Sequence, residues 1–261
     1  MSFQRSPLRI GIAACALTLP ALAPAAAATA AASPVAFAPI QHTAGAAPFF
    51  ISHGGGRNTT TTSTNWSGYA ATGANGAFTS VTTTFTQPAV TCTSGNQYSS
   101  FWVGLDGYSS NSVEQTGTEA DCSGSSASYS AWYEMYPKFP VTYSNPVKPG
   151  DVITESVTFS GTKSYTLTLT DTTEGWTKTT TASSSKGARS SAEVIAEAPY
   201  SGGVLPLADF GKVSFSNSTV NGATLSSFNP VAIDMVSSSG AAEATTGSLS
   251  GGNFSITWNS Y

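Results

Sequence analysis

The chain has 261 residues, 40% apolar and 11% aromatic, with only 9% charged; it is too apolar for a disordered chain and can build a substantial core. Its net charge is −4, and past residue 57 seven Lys and Arg face fourteen Asp and Glu, which argues against nucleic acid, a partner that needs a basic stripe. Short runs rich in Val, Thr, Phe, Tyr and Ile lie between Ser, Gly and Asn clusters, which excludes a helical architecture and predicts an all-β protein.

Residues 1–32 read as a secretory signal peptide. Arg5 and Arg9 give a basic start, IGIAACALTLPAL an apolar segment, and the Ala-rich run after it small-residue cleavage sites. The apolar segment is too short to span a bilayer, so no membrane contact is expected after cleavage. Residues 33–57 hold Pro34, Pro39, Pro48 and the run Gly54-Gly55-Gly56-Arg57, without a β pattern. They fit a flexible linker or a pro-segment removed on maturation. Both histidines, His42 and His53, lie in this stretch. The remaining domain, 58–261, then has no histidine, so neither a Ser-His-Asp arrangement nor a His-based zinc site is available to it. Catalysis there must run on carboxylates, amides, hydroxyls or lysine. Cys15 belongs to the signal. Cys92 and Cys122 would reach an oxidising compartment and are expected to pair. That bridge closes a loop of about 30 residues, worth about 3.5 kcal/mol in the chain-entropy account. No Cys spacing suits a metal. Few positive charges remain to repel one another once carboxylates are protonated, so the domain is expected to tolerate acid.

The β pattern starts at NWSGYAA, where Trp66 sits among small residues, and continues through AFTSVTTTF, with Phe78 and Phe85 near its ends. FWVGLD follows, then a turn over Gly107 to Asn111, then a strand with Val113, Gln115, Gly117 and Glu119 on one face. SYSAWYEMYP alternates most clearly. Tyr129, Ala131, Tyr133 and Met135 form a core face; Ser130, Trp132, Glu134 and Tyr136 form one that suits the floor of a polar cleft. PVKPGD is a turn. DVITESVTF, SYTLTLT and EGWTKTTT are three strands, with Tyr165, Leu167 and Leu169 on a common face. SAEVIAEA puts Glu193, Ile195 and Glu197 on one face. VLPLADFGKVSFS, NPVAIDMV and NFSITW complete the set. About a dozen strands spaced roughly 10–15 residues apart, with no helix between them, predict antiparallel sheets packed face to face in a single domain. The sequons at Asn58, Asn65, Asn217 and Asn253 are expected by chance in so Ser/Thr-rich a chain. Trp176 and Trp258 are read as packing.

Six motifs, NWSGY at 65–69, FWVGLDG at 101–107, QTG at 115–117, AWYEMYP at 131–137, AEVIAE at 192–197 and LPLADFG at 205–211, resemble in order and spacing the glutamic peptidases, or eqolisins. The resemblance covers roughly residues 60–220. It implies a concanavalin-like antiparallel β-sandwich, secreted as a precursor, that acts as an endopeptidase at acidic pH without metal or cofactor. It places the catalytic glutamine on Gln115 and the catalytic glutamate on Glu197, the second Glu of AEVIAE. Substrate-binding positions fall on Trp66, Trp102, Asp106, Glu119, Trp132, Glu134 and Tyr136. Four positions depart from the family pattern, with Glu119 for an aspartate, Ser130 for an acidic residue and Ala198-Pro199 for Asp-Phe, and the cysteine placement differs from that of the fungal members. They bear on substrate preference and pH optimum more than on the reaction.

The pair suits amide hydrolysis. Glu197 can take a proton from water and return it to the leaving amine. The Gln115 amide can hold the water and aim an N–H at the oxyanion. Polypeptides are the expected partners and a monomer the expected state. The alternative is a carbohydrate-binding or glycoside-cleaving sandwich, for which Glu134 with Glu197 is the carboxylate pair to nominate.

Overall fold

A computed structural model describes Met1 and residues 60–261. The signal reading (1–32), the linker or pro-segment reading (33–57) and the sequon at Asn58 fall outside the described residues, Met1 excepted. All described strands belong to one compact unit, Phe37–Tyr261. Among the described residues no helix is long and apolar enough to cross a membrane.

The strands, in chain order, are Thr60–Ser63 (β1), Trp66–Thr72 (β2), Ser80–Thr86 (β3), Asn96–Gln97 (β4), Ser100–Leu105 (β5), Val113–Ser123 (β6), Ser126–Tyr136 (β7), Val141–Tyr143 (β8) and Val152–Gly161 (β9). They continue as Ser164–Asp171 (β10), Trp176–Ser183 (β11), Ser191–Glu197 (β12), Lys212–Val220 (β13), Ala223–Thr224 (β14), Val231–Val236 (β15), Ala242–Thr246 (β16) and Phe254–Trp258 (β17). A single 3-10 turn, Leu225–Phe228, interrupts them.

The expected layers are two parts of one hydrogen-bonded ladder. One part runs β11–β10–β9–β3–β13. The other runs β15–β2–β12–β5–β6–β7. β17 and β16 join them, β17 pairing with β13 and β16 with β15. All these pairings are antiparallel. The exception among named strands is β1, which adds to β15 in parallel.

The main core lies between the layers. Phe85 and Phe215 of one layer meet at 5.4 Å, and Phe85 reaches Phe101 of the other at 6.0 Å. Tyr165, Leu167 and Leu169 of β10 all enter it, as their spacing predicts. The opposite face of this layer is threonine. Hydroxyls pair across strands at Thr84–Thr154 (2.9 Å) and Thr170–Thr177 (3.0 Å), each such pair adding about 0.2–1 kcal/mol. Trp176 and Trp258 pack against the core edge, as read.

β5 and β12 are buried on both faces. Ala192, Val194 and Ala196 of β12 point into the main core, whereas Ile195 points away from it. Ile195 joins a second cluster on the far face of the β2–β12–β5–β6–β7 layer, with Trp66, Trp102, Trp132, Val113 and Ile233. β7 splits as predicted: Ala131 and Met135 lie in the main core, Trp132 in the second cluster.

The Cys92–Cys122 disulfide is formed, with Cα atoms 5.4 Å apart. One predicted strand is corrected. VLPLADFGKVSFS is a strand only from Lys212. Before it the chain makes isolated bridges, Leu207 to Tyr98 and Asp209 to Thr91. Pro206 has no N–H for a ladder, and Gly211 turns with φ 60°.

Candidate active site

Strand register sets the site. In an antiparallel pair directly opposite residues share a face, so three rows cross β12, β5, β6 and β7 on the side of the second cluster. The first row is Glu193, Gly104, Gln115 and Glu134. The second is Ile195, Trp102, Gly117 and Trp132. The third is Glu197, Ser100, Glu119 and Ser130. β2 adds Trp66 beside Glu197 and Ala70 beside Glu193. The two faces predicted for AEVIAE and AWYEMY thus meet on one surface, as does the face predicted for VEQTGTE.

Trp102 stands at the centre, and glycine makes room for it. A Cβ on Gly117 would lie 2.5 Å from the Trp102 Cβ and from the Phe101 carbonyl oxygen. A Cβ on Gly104 would lie 2.9 Å from the Trp102 ring. Any side chain at either position would displace the indole. Trp66 meets that indole edge-on at 5.0 Å, an arrangement worth about 0.5–1.5 kcal/mol beyond burial.

Glu197 is fully buried at the end of β12. The Trp102 indole N–H donates to its Oε2 at 2.8 Å. The Asn65 side-chain amide donates to its Oε1 at 3.2 Å. Gln115 is also fully buried, and its Nε2 donates to Glu134 Oε2 at 2.9 Å. Glu134 thus fixes which way the Gln115 amide points, its nitrogen toward β7. Gln115 and Glu197 lie on strands either side of β5, on one face, with Trp102 in the row between them.

The other predicted positions divide. Trp66, Trp102 and Trp132 form the cluster, and half-buried Tyr136 packs against it. Glu119 is half-buried and accepts from Ser130 Oγ at 3.1 Å. Asp106 follows β5 directly and is fully buried. Its carboxylate accepts from the backbone N–H groups of Arg189 and Ser190 at 2.6 and 2.9 Å and from Ser190 Oγ at 3.2 Å. It fastens the β11–β12 connection to the end of β5, held there by a backbone φ of 73°.

Electrostatically the site is acidic and has no cation of its own. β2, β5, β6, β7 and β12 contain no Lys, Arg or His. Burial pushes the Glu193 carboxyl well above the usual carboxylate range. Burial, and then the charge of Glu193, raise the Tyr108 hydroxyl to about 12. Glu114, on the core side of β6, is raised to about 8 by burial.

Sequence reasoning missed Asn65 as a functional residue. It lies inside NWSGY, next to Trp66, and was read only as a chance sequon. It is fully buried and its amide is bonded to Glu197, which leaves no acceptor for a glycan.

The Peptidase A4 family model matches residues 64–258. Aspergillopepsin-2 of Aspergillus niger is 30% identical over 223 residues, 75% of this chain and 78% of that protein. Scytalido-glutamic peptidase, solved with a transition state analogue inhibitor, has a TM-score of 0.66 and 26% identity over 75% of this chain and 98% of its own. SCP-B, an eqolisin solved with the tripeptide Ala-Ile-His, gives 0.62 and 26% with the same coverage. Aspergilloglutamic peptidase from Aspergillus niger gives 0.57 and 29%, over 62% of this chain and 99% of its own.

Proposed function

The chain belongs to the peptidase A4 family and is a glutamic endopeptidase, and from that premise we propose that Gln115 and Glu197 are its catalytic pair. The observation that carries this reading is the buried Glu197 carboxylate, gripped on both oxygens, on the same sheet face as an amide oriented by Glu134. Glu197 takes a proton from water as the water oxygen bonds to the scissile carbonyl carbon. The Gln115 side-chain amide donates to and stabilises the oxyanion. Glu197 then gives its proton to the amide nitrogen, the C–N bond breaks, and acid and amine leave.

Polypeptide is the substrate. Trp66, Trp102, Trp132 and Tyr136 supply an apolar surface beside the pair, and Glu119 sits in the same row as Glu197. Glu134 acts through Gln115 rather than on the chain being cut. Secretion after loss of residues 1–32, maturation by loss of 33–57, action in acid and a monomeric state complete the reading. The acidic balance disfavours nucleic acid, and no membrane contact follows signal cleavage.

The carbohydrate alternative is set aside. The family is a peptidase family, and the nominated Glu134 is engaged by Gln115 on the strand between it and β5. The test is hydrolysis of an unfolded protein from pH 2 to 8 by the mature enzyme and by Glu197→Gln. Activity confined to acid and abolished in a folded variant is the expected result. Activity that survives the substitution would remove Glu197 from the centre.

A further inference from the structure

We propose that Ser63 and Asn65 are positioning residues that hold Glu197 as an anion in acid. This rests on the reading of Glu197 as the base. The Ser63–Asn65 bend joins β1 to β2. Ser63 Oγ accepts from the backbone N–H groups of Asn65 (3.3 Å) and Trp66 (3.1 Å). A hydroxyl has two acceptor sites and one proton, so with both sites occupied the proton must be donated elsewhere. It goes to Asn65 Oδ1 at 3.1 Å. An amide whose oxygen is bound by Ser63 can present only its nitrogen to the next group. That group is Glu197 Oε1. The Asn65 carbonyl also accepts from Ala198 N–H at 2.8 Å, so the bend is tied to the end of β12 on both sides of the carboxylate.

The Asn65 Nδ2 and the Trp102 Nε1 that bind Glu197 can donate and cannot accept. They therefore favour the ionised carboxylate over the acid. The titratable groups that face this cluster are Glu193 on its own strand, Tyr108 between β5 and β6, Glu119 on β6, and Glu134 and Tyr136 on β7. None is cationic, and the five strands around the site hold no Lys, Arg or His. The two donors do the work that a lysine or arginine does elsewhere. A base that stays ionised at low pH is what an acid-acting peptidase needs.

The experiment is the pH profile of kcat/KM for the mature enzyme, Asn65→Leu, Ser63→Ala and Ser63→Thr, beside a 13C titration of the Glu197 side-chain carboxyl. Removing a hydrogen bond to a charged group is expected to move the acid limb of Asn65→Leu upward by about one to two pH units. At a pH below that limb, activity falls by about 10- to 100-fold and recovers as pH rises. Ser63→Ala moves the limb the same way by less, since its amide can turn over, and it carries the test if Asn65→Leu does not fold. Ser63→Thr keeps the hydroxyl and the original limb. A limb that stays in place while kcat falls equally at all pH would reduce both residues to structural roles and overturn the proposal. The titration reads the grip whether or not Glu197 catalyses. If Glu197→Gln stays active but the titration midpoint rises in Asn65→Leu, the dyad reading fails and the grip stands. If that midpoint does not move, the grip fails and the dyad is untouched.

Discussion

Trp102 and Glu197 are neighbours across two strands, and the indole N–H of one holds the carboxylate of the other at 2.8 Å. The tryptophan thus has two tasks. It fills the centre of the second cluster, and it supplies a donor inside a buried acidic site. Phenylalanine preserves most of the first task and none of the second. Trp102→Phe is expected to lose about 10- to 100-fold in kcat/KM, the equivalent of a charge-assisted hydrogen bond of about 1.5–3 kcal/mol. Steady-state kinetics with a quenched peptide, beside a thermal melt, checks this. A loss of melting temperature matched by unchanged kinetics would mean that the indole only packs.

Gln115 and Glu134 form the other half of the site. Gln115→Ala removes an oxyanion donor and is expected to cost roughly 100- to 1000-fold in kcat. Glu134→Gln should cost less, because the Gln115 amide survives and the new side chain keeps a carbonyl acceptor for it, neutral where the carboxylate was charged. The order of the two losses is the prediction. It is read from kcat at saturating substrate, with folding checked by near-UV circular dichroism.

The pattern of faces was legible because alternation is strict where one side of a strand is wet. β10 is of this kind; β7 is buried on both faces at Ala131, Trp132, Glu134 and Met135, and its faces separate because one is apolar and the other mixes an indole with a carboxylate. Alternation says less about strands buried on both sides, and least about inward carboxyls. Glu155 lies between Ile153 and Val157 on the inner face of β9, fully buried, where a glutamate normally marks solvent. The bonds of Asp106 to Arg189 and Ser190 span more than 80 residues and depend on its own positive φ, neither of which a local pattern shows. β1, β4, β8, β14 and β16 are two to five residues long, too short for a period to show. Asn65 acts through a bond to a residue 132 positions away, which no local pattern carries.

The disulfide joins Cys92, ahead of β4, to Cys122 near the end of β6. β6 carries Gln115, but seven residues before the bridge, and the ladder from β5 to β7 holds that part of the strand independently. Reduction is therefore expected to lower stability without dismantling the site. The chain-entropy estimate is about 3.5 kcal/mol, which corresponds to roughly 7–14 °C in melting temperature for a domain of this size. The check is a melt of the Cys92→Ala/Cys122→Ala double variant together with its kcat/KM at 25 °C. Near-normal activity at that temperature with a lowered melt is the expected pair of results.

Three buried glutamates are held above the usual range by burial: Glu114, to about 8, and Glu155 and Glu193, well above it. Glu155 lies against the backbone of Val103 in β5, so it sits beneath the site, between the layers. Each carboxyl is neutral in the fold. In the unfolded chain it ionises near about 4.3. Below that pH both states hold the proton and the contribution to stability is complete. Above it the unfolded chain releases the proton while the fold keeps it, so stability falls by about 1.4 kcal/mol per pH unit for each carboxyl until its folded value is passed. The fold is thus expected to be most stable in acid and to weaken from about pH 4.3 toward neutrality. Urea unfolding at pH 4, 5, 6 and 7 measures the slope. Glu155→Gln, which keeps the shape and has no proton to lose, should flatten it by about 1.4 kcal/mol per pH unit. A stability that rose from pH 4 to 7 would mean that these carboxyls are ionised in the fold, and the interior around β5 and β9 would then have to supply partners for three negative charges.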